Sequence, residues 1–289
     1  MKIYISTDTS AKVKKDFFDK YDISVYPLNV IIDGQEFLDG VTIEQDELGK
    51  AMRSNKNIKT STPPLGEIIE YFEKLFAKGY DHIIHFTISS KLSSMYDLFC
   101  NVAKQHFEGK LTIVDAYSVS ASMLNNVVFA YEEAKNGKSV EEIVSAIEER
   151  KKNMHIVFIP ENLNALKNGG RVSPTMALIG NTIGIKPVII LKDGELVKEG
   201  MTKRARKAIE ERIDEIVKKY PALEYDYTVT SFDVELEKLQ PIYDLIETKT
   251  GKEVIKGLLP INVCAHCGPG TVGLVISPKI NGKSLAEYM

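Results

Sequence analysis

The first half of the chain repeats one unit: a short apolar run, a junction rich in serine and threonine, then a stretch of helical periodicity. Ile3-Tyr4-Ile5 leads into Ser6-Thr7-Asp8-Thr9-Ser10 and a helix predicted over about 11–20. His82 to Ile88 is a strand, followed by Ser89-Ser90-Lys91-Leu92-Ser93-Ser94 and an apolar helix reaching about Phe107. Leu111 to Val114 is another, with Ser118, Ser120 and Ser122 after Asp115 and a helix to about Lys135. Strands separated by helices cannot pair as tight hairpins, so the pattern demands βαβ units and a parallel sheet.

Other segments decorate that frame. Ile23 to Ile32 reads as one alternating run broken at Asp33-Gly34, a turn signal. In Thr60-Ser61-Thr62-Pro63-Pro64-Leu65-Gly66-Glu67, hydroxyls precede proline and glutamate follows, the signature of a turn opening a helix. Ile68, Ile69, Phe72, Leu75 and Phe76 then recur at helical spacing.

The character changes after a helix predicted from Ser139 to Arg150, which places a boundary near residues 150–155 and domains at 1–153 and 154–289. Ile156 to Ile159 reads as a strand, Leu163 to Lys167 as a short helix, and Thr175 to Ile185 as a buried one. Lys192-Asp193-Gly194 is a hairpin signal between Val188–Leu191 and Glu195–Val197. Lys203 to Tyr220 and Leu236 to Gly251 read as helices; Tyr227 to Thr230, Val254 to Leu258 and Val272 to Ile276 read as strands. The expected fold is therefore two-domain α/β: a parallel α/β/α N-terminal domain and a mixed α/β C-terminal domain.

Composition narrows the function. The 289 residues, 44% hydrophobic, can bury a sizeable core, and 37 basic against 40 acidic residues leave a net charge of −3, unlike a nucleic-acid binder. No run approaches the roughly 18 apolar residues of a membrane span, and MKIYISTDTS does not read as a signal peptide. The expectation is a cytoplasmic protein without membrane insertion.

Cys100, Cys264 and Cys267 are too few for a disulfide framework. Cys264-Ala265-His266-Cys267 has a metal-like spacing, but structural zinc wants four ligands and no second pair exists. His82 and His85 in one strand would point to opposite faces. A redox pair would want its first cysteine to open a helix, whereas Gly268-Pro269-Gly270 directly after the pair reads as loop. No cofactor and no metal are expected.

In a parallel α/β sheet, ligands bind outside the carboxyl ends of the strands. Helix N-termini there offer free N–H groups and positive partial charge, and hydroxyls add neutral donors. Residues 6–10, 89–94 and 115–122, converging with the Thr60 turn, suit a carboxylate or phosphate, although serine and threonine are also plain helix caps. No GxxxxGK[ST], GxGxxG or GxSxG motif is present. Asp8 reads as a cap for the following helix rather than an acid or metal ligand. Lys203, Arg204, Arg206 and Lys207 read as a solvated helix face, with protein docking the alternative. Two functions stay open: a binding protein, or an enzyme acting on a small phosphorylated or carboxylated metabolite.

Taken in order, Ser6-Thr7-Asp8-Thr9-Ser10, Thr60-Ser61-Thr62-Pro63 with Gly66-Glu67, Ile88-Ser89-Ser90-Lys91-Leu92-Ser93, Gly169-Gly170-Arg171-Val172-Ser173, Ile185-Lys186-Pro187 and His266-Cys267-Gly268-Pro269-Gly270-Thr271 resemble the DegV family over essentially the whole chain. The resemblance implies a non-catalytic two-domain α/β protein that holds a long-chain fatty acid with its tail in an apolar tunnel. It also implies delivery to a separate fatty acid kinase related to dihydroxyacetone kinases. By the same resemblance Thr60 and Ser93 bond the carboxylate, with Ser61 and Ser94 beside them, His266 stands behind, and Arg171 lies near the head group or meets the kinase. The chain departs from the family pattern at Thr62 (usually Gln), Lys91 and Ser94 (usually Gly) and Ala116 (usually Ser or Thr). Lys91 matters most, since it places a flexible cation beside the carboxylate loop.

Overall fold

Ile3–Asp8 (β1) is buried along nearly its whole length, and it founds the first layer of the molecule. The computed structural model describes residues 1–11, 15–172 and 184–289. After β1 come a helix at Lys15–Lys20 (α1), Ser24–Tyr26 (β2), Asn29–Ile32 (β3), Gln35–Leu38 (β4) and Gln45–Arg53 (α2). Ile58–Ser61 (β5), Leu65–Phe76 (α3), His82–Thr87 (β6), Met95–His106 (α4), Leu111–Asp115 (β7), Ser120–Lys135 (α5) and Val140–Lys151 (α6) complete the first half.

β2, β1, β6 and β7 form, in that order, a parallel four-stranded sheet. Every residue of β6 is buried because both faces are covered. Ile84 and Phe86 pack with Met123 and Val127 of α5, while Ile83, on the opposite face, packs with Phe72 of α3 and Phe99 of α4. α6 begins at a capping box in which Ser139 Oγ accepts from Glu142 N at 3.2 Å and Glu142 Oε2 accepts from Ser139 N at 2.9 Å.

The run Ile23 to Ile32 is two strands rather than one. Pro27 has no N–H to continue a ladder; β2 before it joins the parallel sheet, and β3 beyond it pairs antiparallel with β4 and β5 in a separate three-stranded sheet. Asp33 (φ 51°) and Gly34 (φ 87°) supply the left-handed pair that a two-residue hairpin turn requires.

The second half contributes His155–Ile159 (β8), Asn164–Asn168 (α7), Lys186–Lys192 (β9), Glu195–Thr202 (β10), Tyr225–Phe232 (β11), Ile255–Leu258 (β12) and Thr271–Pro278 (β13). The strands form a mixed six-stranded sheet, ordered β10-β9-β8-β13-β11-β12 and antiparallel except between β11 and β12. Alternate residues serve opposite faces: Val157, Val229 and Leu274 pack with Ile209, Ile213 and Ile242 of the outer helices. Phe158 packs instead with Val30, Leu48 and Phe232 beneath the three-stranded sheet.

The expected helix from Lys203 to Tyr220 is two, Ala205–Glu210 and Ile213–Lys219. The backbone leaves helical geometry at Arg212 (φ −117°), whose Nη1 bonds Ala208 O at 2.8 Å. The bend lets Ile209 and Ile213 reach the same core, so packing overrides a continuous amphipathic pattern. Arg206 and Lys207 pair with Glu210 and Glu211 along the exposed face, as a solvated surface would. The helix expected over Thr175 to Ile185 falls largely outside the described residues, as do residues 12–14 of the helix expected over 11–20.

Segments cross between the two large sheets. Ile280, Leu285 and Tyr288 return to pack in the α5 core of the first sheet, and β3 and α2 pack against Phe158 and Phe232 of the second. A cavity lies between the sheets.

Candidate functional site

That cavity, of about 220 Å³, is lined by Thr60, Ser61, Ser93, Ser94, Arg171 and His266, which the sequence pattern had singled out. Each arrives from a different local cause. Thr60 and Ser61 end β5, in register with Val30 and Asn29 of β3. They do not open a helix as expected: α3 starts after Pro64, and no side chain caps it. Ser93 sits in the bend before α4, where its Oγ accepts from Met95 N at 3.3 Å; Ser94 beside it is exposed.

Arg171 follows α7, whose end Gly170 closes in a left-handed conformation at φ 69°. Its Nε donates to Leu92 O at 3.1 Å and its Nη1 to Gly169 O at 2.5 Å, so the guanidinium bridges α7 and the Ser89–Ser94 loop. His266 lies in the Ile261–Cys267 helix, which packs against α7. Its Nε2 is 2.9 Å from Thr60 Oγ1. A side chain on Gly169 would bring its Cβ to 2.2 Å from His266 Nδ1, so only glycine admits the imidazole there. Burial, and then the nearby Arg171 cation, push the His266 imidazole down to about 4, which keeps it neutral near pH 7.

Beneath the site a buried polar chain ties the first sheet to the His266 helix. Asp8 Oδ1 accepts from Ser10 N at 2.7 Å and Oδ2 from Ile88 N at 2.9 Å, so Asp8 caps its own turn and joins the ends of β1 and β6. Burial pushes its carboxyl up to about 6. Asn262 Nδ2 donates to Ser10 Oγ at 2.7 Å, and Asn262 N donates to Asp39 Oδ2 at 3.1 Å.

The rest of the cavity wall is mainly apolar. Leu28, Ile88 and Met95 come from the first layer, and Ile156, Phe158 and Val275 from the inner face of the second sheet. Leu191 and Leu196, on the β9–β10 hairpin, close one flank. The tip of that hairpin is anchored: Ser89 Oγ donates to Gly194 O at 2.8 Å. Lys91 turns to the same hairpin, its ammonium 3.9 Å from Glu195, rather than entering the cavity beside the carboxylate loop.

Cys264 and Cys267 fall inside the Ile261–Cys267 helix and pack in its apolar core, and the loop starts at Gly268. His82 and His85 do face opposite ways, towards Thr112 and Ser6. Among the described residues no group of three or more His, Cys, Asp or Glu is placed to hold a metal ion, and no helix is long and apolar enough to cross a membrane. Residues that sequence reasoning missed are Asn29, Asn262 and Thr230, which also line the cavity. For Thr230 the available signal was glycine inside two strand patterns, Gly257 and Gly273, which marks a close approach.

Fold and cavity define an α/β protein of two large sheets with an apolar chamber between them and hydroxyls, an arginine and a neutral histidine in its wall. The chain belongs to the DegV family: residues 2–279 match the family model described as an uncharacterised protein of that family. A DegV domain-containing protein of Staphylococcus aureus is 30% identical over 282 residues, covering 95% of this chain and 98% of the relative. The crystal structure of a DegV lipid-binding protein from Thermotoga maritima superposes with a TM-score of 0.82 at 28% identity, covering 96% of this chain and 99% of that one. A fatty-acid-binding DegV family protein from Streptococcus agalactiae superposes with a TM-score of 0.86 at 26% identity and the same coverage.

Proposed function

We propose that this chain is a cytoplasmic, non-enzymatic carrier that binds one long-chain fatty acid between the halves 1–153 and 154–289, with its tail in the apolar cavity. The observation that carries this reading is the make-up of the wall. It is dominated by Leu, Ile, Val, Met and Phe, and among its described residues Arg171, His266 and Cys267 are the only ionisable side chains. An enzyme at the same cleft would need an acid or base poised near neutral pH. No Asp, Glu or Lys of the described chain lines it, and His266, pushed down to about 4 by burial, has its Nε2 on Thr60 Oγ1.

The polar wall suits a carboxylate. Thr60 can take the Nε2–H of neutral His266 and turn its own hydroxyl hydrogen into the cavity, which the 2.9 Å separation permits. Arg171 spends two N–H groups on backbone carbonyls and retains others for an anion. Hydrogen bonds to a charged group contribute about 1.5–3 kcal/mol each, and each buried methylene of the tail adds about 0.8 kcal/mol. Presentation of the carboxylate to a separate fatty acid kinase for acyl-phosphate formation is the further step that the family resemblance supports.

Native mass spectrometry of the purified protein, followed by extraction, tests the reading. One long-chain fatty acid per chain is expected. In the Thr60→Ala/Ser93→Ala double variant, retention falls at least about tenfold with circular dichroism unchanged. Protein that stays lipid-free and resists loading overturns the carrier reading; unchanged retention in the double variant overturns the head-group site.

A further inference from the structure

Among the described residues, two side-chain polar atoms of cavity-lining residues are buried without a hydrogen-bond partner, Thr230 Oγ1 and Asn262 Oδ1. Asn262 already bonds Ser10 through the other end of its amide. Thr230 has only its hydroxyl, is 1% exposed, and stands on β11 in the second sheet, away from every element that carries Thr60, Ser93, Arg171 or His266.

The sheet register makes room for that hydroxyl at the cavity wall. Thr230 lies opposite Gly273 of β13 on one side and Gly257 of β12 on the other. A Cβ at Gly273 would come within 2.7 Å of Thr230 Oγ1, and one at Gly257 within 2.9 Å of its Cγ2. Gly273 itself lines the cavity, and Phe158, its partner on β8, continues the wall. Glycine inside a strand where another group must approach closely is a recurring device. Valine has the shape of threonine and would complete a purely hydrocarbon wall, as Val275 does one same-face step along β13. A buried hydroxyl in that position gains only when something in the chamber answers it.

Resting on the fatty-acid reading above, we infer that Thr230 recognises an oxygen carried on the acyl chain, and that the preferred ligand class is a hydroxylated long-chain fatty acid. Thr230 Oγ1 can donate to the ligand hydroxyl or accept from it. Gly273 makes room for the Thr230 hydroxyl beside the chamber, and the carboxylate stays at Thr60 and Ser93.

Calorimetric titration of delipidated protein with stearic acid and its positional monohydroxy isomers tests this. One isomer is expected to bind on the order of tenfold tighter than stearic acid. Thr230→Val should erase the preference without weakening stearic acid, while Thr230→Ser, which keeps the hydroxyl, should retain it. Binding of stearic acid with no isomer preferred, or a preference that survives Thr230→Val, overturns the assignment to Thr230 alone. Failure of every acid to bind overturns the fatty-acid reading and this inference with it.

Discussion

Thr60 Oγ1 and His266 Nε2 meet at 2.9 Å across a sequence separation of 206 residues. The contact joins a strand of the small sheet to a helix of the second half, and it depends on a third residue: Gly169, directly after α7, where any Cβ would fall 2.2 Å from the other imidazole nitrogen.

Gly169→Ala should therefore displace the ring. The new methyl would overlap Nδ1, and overpacking of this kind costs about 1–3 kcal/mol. His266→Ala makes room, so the Gly169→Ala/His266→Ala pair should be less destabilised than the sum of the single variants by about 1 kcal/mol or more. Urea denaturation of the four proteins measures the coupling; strictly additive losses would remove Gly169 from the role given to it.

Buried imidazoles set the acid limb of stability. Burial holds His266 at about 4 and His85 at about 3, below the ordinary value near 6.5. Below pH 6.5 the unfolded chain takes protons that the folded one refuses, so these residues withdraw stability as pH falls towards 4 and then 3. Asp8 acts oppositely: raised to about 6 by burial, it takes a proton in the folded state first and adds stability as pH falls from about 6 towards 3.8. Proton NMR should show the His266 ring still neutral at pH 5, and His266→Gln should flatten the loss of stability between pH 6.5 and 4. A His266 midpoint near 6.5 would contradict the burial argument.

Ser89 and Gly194 hold the cavity flank. Ser89→Ala removes the donor to the Gly194 carbonyl and should cost about 1 kcal/mol. Because Leu191 and Leu196 ride on that hairpin, backbone amides of residues 190–196 should exchange faster with deuterium in the variant. Unchanged exchange there would show that strand pairing alone positions the hairpin.

Much of this was legible in the chain itself. Apolar runs alternating with helical periods specify βαβ units because period and length are local properties, and Asp33-Gly34 and Asp193-Gly194 announce their turns because few residues accept φ near 50–90° at both positions. The Thr60 turn, the Ser93 loop and the Gly-Gly-Arg and His-Cys-Gly motifs marked residues that do line one cavity, whereas the opening Ser6–Ser10 motif does not reach it and serves the buried polar chain through Asp8 and Ser10. What the chain alone did not reveal is non-local. Pro27 divides an apparently continuous run between two sheets, Arg212 bends a helix so that both pieces reach one core, and Lys91 turns to Glu195. Thr230 acquires its meaning only from register, which sets glycines on both sides of it. Local pattern decides which elements form; the pairing of distant strands and the packing of their faces decide which side chains meet, and the site consists of those meetings.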